Sequence, residues 1–267
     1  MKRIISGLII LGICLAIFLF ANKYVVDVFV SLIALMSVHE LYKAFEHKNH
    51  HPIKSVGYIA AIAIAFIHVI PKGTATLFLG GIIVVSIFAL FLIAILKFNK
   101  IDILDIALTF FGICYVVVFS AFLAITRELQ YGNFLVWYIL IASSITDTYA
   151  YFAGKTFGKI TFTKVSPNKH LEGSIVGTLA AIIWGVCFTA LLNTYLGTNI
   201  NLVLMGAIML VLSIMGQVGD LAASVIKRYC GIKDYSNVIP GHGGILDRID
   251  SVIFIAPFAY YLLLLIV

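Results

Sequence analysis

The chain has 267 residues, of which 62% are hydrophobic and only 11% charged, and its formal net charge is +6. Soluble domains are nearer half apolar and a quarter charged, so this composition excludes a soluble enzyme, a disordered chain and an ordinary basic nucleic-acid-binding domain. Nine membrane helices of roughly 20 residues would use about 180 residues, leaving no room for a separate water-soluble domain.

Apolar runs predict nine spans, at 4–21, 25–42, 55–71, 74–96, 103–125, 133–154, 174–195, 200–226 and 250–267. The first follows Met1-Lys2-Arg3. Its apolar stretch is longer than a signal-peptide core and no small-x-small cleavage pattern follows, so it reads as a retained helix. The third is weak; it holds His68, read as satisfied locally, and ends at Pro71. With the N-terminus inside, fifteen of the 18 Lys and Arg fall in inner segments, and only Lys23, Lys72 and Arg127 fall outside. That partition obeys the positive-inside rule. The expectation is an all-α, polytopic integral membrane protein with a cytoplasmic N-terminus. Residues 1–130 would form N-terminal helices, and 131–267 C-terminal helices with the reactive loops, within one membrane domain. Cys14, Cys114, Cys187 and Cys230 form no CxxC pair, which argues against a disulfide framework or a zinc site.

The longest polar stretches, 155–173 and 227–250, are both inner segments, so chemistry is expected at the cytoplasmic face. Carboxylates within spans are costly and point to function. Asp147 and Asp220 are two of these. Helical spacing places Ser143, Ser144 and Tyr151 beside Asp147, and Gln217 and Ser224 beside Asp220. The segment from Ser224 to Asp250 reads SVIKRYCGIKDYSNVIPGHGGILDRID. Its Lys227, Arg228 and Lys233 suit an anionic substrate. Gly241, Gly243 and Gly244 around His242 suit an amide nest for phosphate. Asp247 and Asp250 share a helix face at i, i+3. Together with Asp220 they offer the hard oxygens that magnesium shares with phosphates. The stretch from Asp147 to Gly173 adds Lys155, Lys159 and Ser166-Pro167-Asn168-Lys169, a basic loop without a Walker A pattern. His47, His50 and His51 read as a solvated loop rather than a metal site.

The run S-x-x-K-R-x4-K-D-x-S-x2-I-P-x-H-G-G-x-x-D-R-x-D over 224–250 resembles the signature of the phosphatidate cytidylyltransferase (CDP-diacylglycerol synthase) family. Asp147-Thr148-x-Ala150-Tyr151-x-x-Gly154, Ser166-Pro167-x-Lys169-x-x-Glu172-Gly173 and Gly219-Asp220 resemble further parts of that family's pattern. The resemblance covers the C-terminal half and implies transfer of CMP from CTP to phosphatidic acid, giving CDP-diacylglycerol and pyrophosphate. It implies Asp220 and Asp247 as magnesium ligands, with Asp250 in or beside that shell. A second, monovalent cation near Ser224 and Asp147 belongs to the same expectation. Lys227, Arg228, Lys233 and Arg248 would neutralise phosphates. His242 with Gly243 and Gly244 would shape the phosphate loop. Ser166, Lys169 and Glu172, with Asp147 and Tyr151, would meet the nucleotide. A multi-pass cell-membrane enzyme and a homodimer are implied as well. The alternatives are a CTP-dependent lipid kinase, a cytidylyltransferase for another lipid phosphate and, in a different class, a transporter.

Overall fold

The computed structural model describes residues 12, 14, 16–71, 73–161, 163, 165–238 and 243–266. Most of the expected first span, and His242 with Gly241, lie outside the described residues. The described residues are helical and form no strands. In chain order the helices are α1 (Lys23–Glu46), α2 (Lys54–Ala63), α3 (Ala75–Leu96), α4 (Ile103–Gly112), α5 (Phe119–Ile125), α6 (Gly132–Phe157), α7 (Leu171–Leu196), α8 (Leu202–Cys230) and α9 (Leu246–Leu263). A 3-10 segment, Ile64–Val69, extends α2, and a π-helical turn, Ile113–Val118, joins α4 to α5. Among the described residues, five helical stretches are long and apolar enough to cross a membrane: Lys23–Glu46, Ala75–Leu96, Ile103–Glu128, Leu171–Leu196 and Leu202–Cys230.

The chain divides into two compact units, Met1–Glu128 with Lys227–Ile249, and Leu129–Ile226 with Asp250–Val267. The polar segment Lys227–Ile249 belongs with the first unit.

In the first unit α1 begins where the Asn22 side chain accepts the amide of Val25, satisfying one orphan donor of the first turn. Tyr42 packs against Gly57 and Gly112, where any Cβ would collide with its ring, and donates its hydroxyl to the Thr109 carbonyl at 2.7 Å. Ser31 donates to the Ala61 carbonyl at 2.9 Å, a further sign of close backbone approach. The small residues let helices touch where lipid supplies no hydrophobic drive between them. α1 also buries two carboxylates, Asp27 and Glu40. Asp27 accepts from the backbone amide of His68 and lies 2.6 Å from its Nδ1, so His68 is satisfied within the unit.

In the second unit α6 and α7 pack through small residues. A Cβ on Gly173 would lie 2.5 Å from the Ala150 carbonyl, and one on Gly177 2.5 Å from the Thr146 carbonyl. Hydroxyls and one amide then link the helices: Thr146 with Ser213, Ser213 with Thr178, Gln217 with Thr178, and Ser143 with Ser251. Gln217 and Ser143 therefore tie helices together within this unit.

Candidate active site

The second unit presents the basic loop between α6 and α7. Leu171 donates its amide to the Ile160 carbonyl, and Thr161 pairs with His170, so the loop returns on itself. Glu172, in the first turn of α7, accepts from the amides of Lys159 and Ile160 at 3.2 Å each. At the tip the Lys169 amide donates to the Ser166 carbonyl, closing a turn with Pro167 at its second position, where a fixed φ is favoured. This turn sets the Lys169 ammonium in an ion pair with Asp220, both side chains being partly exposed. Ser166 thus closes the turn that carries Lys169, Glu172 holds the amides of Lys159 and Ile160, and Lys169 meets Asp220.

Asp220 follows Gly219, whose missing Cβ matters. Added there, a Cβ would lie 2.5 Å from Phe254 Cβ and 3.0 Å from the Asp250 carbonyl. α8 and α9 therefore touch at the level of Asp220 and Asp250. Asp250 is buried and its Oδ1 accepts the Ser251 amide at 2.8 Å. Ser224, one turn beyond Asp220 on α8, is partly exposed. Asp147 and Tyr151 lie on an exposed face of α6. A cavity of about 370 Å³ runs between α7 and α8, walled by Ile175, Leu179, Leu210 and Ile214 with Thr178 and Gln217 among its lining.

The first unit holds the signature segment. Asp247 opens α9, and its side chain is only 2% exposed. Its Oδ1 accepts from Lys227 Nζ at 2.7 Å. Its Oδ2 accepts from the amides of Tyr235 at 2.8 Å and Gly244 at 2.9 Å. The Lys227 ammonium also lies 5.4 Å from the centre of the Tyr235 ring. Arg228, Lys233 and Arg248 are exposed and carry their charge outward. The Gly244 amide turns inward to Asp247. Gly243 adopts φ +82°, the left-handed region that favours glycine.

Glu40 is a residue that sequence reasoning missed. It is 3% exposed, and its carboxylate accepts from Ser236 Oγ at 2.6 Å, the Ile245 amide at 3.0 Å and the Leu246 amide at 2.8 Å. The available signal was a carboxylate inside an apolar span, the same signal that marked Asp147 and Asp220.

Asp220, Asp247 and Asp250 are hard oxygen donors of the kind magnesium prefers. Asp220 and Asp247 each already meet one positive centre, so their donor chemistry fits a divalent ion in place of an ammonium. Among the described residues no group of three or more His, Cys, Asp or Glu side chains converges as a metal site.

Over residues 1–266 the sequence matches the model of the "Cytidylyltransferase family". The chain belongs to the cytidylyltransferase family. Membership makes it a nucleotidyltransferase. It is 33% identical over 270 residues to the phosphatidate cytidylyltransferase of Staphylococcus aureus (strain COL), covering 98% of each chain. The Staphylococcus haemolyticus (strain JCSC1435) protein of that name is 32% identical, again over 98% of each. The Bacillus subtilis (strain 168) protein of that name is 37% identical over 169 residues, which is 63% of this chain and 60% of that relative.

Proposed function

We propose that this membrane enzyme transfers CMP from CTP to phosphatidate, releasing pyrophosphate and leaving CDP-diacylglycerol in the bilayer. The observation that carries the reading is correspondence over 98% of the chain with relatives named phosphatidate cytidylyltransferase. A phosphatidate oxygen attacks the α-phosphorus of CTP, a new P–O bond forms, and the bond to the β-phosphate oxygen breaks. Both reactants are anions, so most of the catalysis is positioning and charge neutralisation. Lys169 and Lys227 are ammonium groups held on carboxylates, ready to turn toward incoming phosphate oxygens. Arg228, Lys233 and Arg248 supply further positive charge on exposed surface. The turn at Ser166 and the clamp at Glu172 orient Lys169 for the nucleotide, with Asp147, Tyr151 and Ser224 at that end. Gly243, Gly244 and His242 shape the loop that follows Lys233.

Asp220, Asp247 and Asp250 would hold magnesium, which neutralises developing charge on the phosphates and the leaving pyrophosphate. A monovalent cation beside it, nine spans with a cytoplasmic N-terminus, an active site facing the cytoplasm and a homodimer complete the reading. The apolar groove between α7 and α8 suits an acyl chain of the lipid substrate.

The test uses detergent-purified protein with phosphatidate, magnesium and CTP labelled at the α-phosphate. Label should enter the lipid only with magnesium present and should vanish in Asp247→Asn. Label entering from the γ-phosphate instead would make the enzyme a lipid kinase.

A further inference from the structure

We infer that Glu40 is a positioning residue that fastens the signature loop of the last helix from a helix some two hundred residues away in the sequence. This rests on the proposed cytidylyl transfer, because the loop is the one that presents Asp247. Two carboxylates interleave along the loop. Asp247 takes the amides of Tyr235 and Gly244. Glu40 takes the next donor along in each arm of the loop, the Ser236 hydroxyl and the Ile245 amide, and then the Leu246 amide.

The Ile245 and Leu246 groups are amides at the start of α9, which have no partner within the helix. A carboxylate from α1 caps them, and it is favoured there by the positive end of the helix dipole. Glycine at 244 is required by the same contact, since a Cβ would lie 2.5 Å from Glu40 Oε2. The loop is thus fixed at 235–236 and again at 244–246, just ahead of Asp247. Removing Glu40 leaves Asp247 its own donors but frees the backbone that aims it.

The variant is Glu40→Gln, which keeps the shape but points an NH₂ at groups that are themselves donors. Amide exchange over 243–249 should accelerate. Turnover should fall by about ten-fold or more with KM for CTP held within about three-fold, the pattern of lost transition-state positioning. Ser236→Ala removes one of the three donors and should cost less than about three-fold, and in the Glu40→Gln background it should add nothing, because its partner is already gone. Unchanged exchange in Glu40→Gln would overturn the clamp. Faster exchange with wild-type kcat, or with a rise in KM alone, would overturn the positioning role. A wild-type protein that labels no lipid would refute the proposed function instead, and the exchange comparison would still decide whether Glu40 holds the loop.

Discussion

Lys227→Met should destabilise the protein more than Asp247→Asn does, although the second is the variant expected to abolish turnover. The reasoning starts from exposure. The Asp247 side chain is 2% exposed and that of Lys227 13%, with 2.7 Å between the charged atoms. Removing one partner of a buried pair typically costs about 3–5 kcal/mol, because the other charge is stranded. Methionine at 227 strands Asp247 with only two amide donors, so a loss near about 3 kcal/mol is expected. Asparagine at 247 can turn its oxygen toward the Tyr235 and Gly244 amides and keep both satisfied. Lys227 is then free to extend its ammonium toward water on a flexible stem. The expected loss is about 1 kcal/mol, that of one charge-assisted hydrogen bond replaced by hydration. Thermal unfolding of the two detergent-purified variants, followed by intrinsic fluorescence beside the lipid-labelling assay, gives both orders at once. If Asp247→Asn has the lower midpoint, Lys227 cannot reach solvent and the reasoning fails.

Three other outcomes follow from the second unit. Lys169→Ala should raise KM for CTP several-fold while changing stability by no more than about 1 kcal/mol, since both members of its pair are partly exposed; a large fall in the unfolding midpoint would contradict this. Glu172→Ala frees the amides of Lys159 and Ile160, so trypsin should cut the 158–170 loop faster than in the parent protein, and an unchanged cleavage rate would show that the clamp is not what orders the loop. Gly177→Val should cost about 1–3 kcal/mol by forcing α7 off the Thr146 carbonyl, and an unfolding midpoint equal to the parent's would refute the close packing.

The helices were legible because apolar runs mark them. The runs at 74–96 and 133–154 became Ala75–Leu96 and Gly132–Phe157. Ends were less legible where a helix leaves the apolar region. α8 continues past Ile226 through Lys227 and Arg228 to Cys230, cations that suit the negative end of a helix. α9 starts at Leu246, earlier than the apolar run, because Glu40 accepts the amides of Ile245 and Leu246 at its start. The polar residues of 155–173 and 224–250 were visible as candidates, but their partners were not. Nothing in the spacing tells that Ser166 closes a turn for Lys169, or that Glu172 accepts the amides of Lys159 and Ile160. The place of Glu40 inside an apolar span was visible, but its partner Ser236 was not, because a contact across 196 positions leaves no local pattern.

The glycine stripe of α7 separates two kinds of constraint around one helix. On the side toward α6, backbone meets backbone at Gly173 and Gly177, and every substitution adds bulk where there is none to spare. On the side bearing Val176 and Ile183, side chains are exposed and any apolar shape will serve. The lipid-facing half can therefore drift with the membrane in which the enzyme works. The half that sets the height of Lys169 above Asp220 cannot, so adaptation to a new acyl-chain environment should leave the reacting loop where it was.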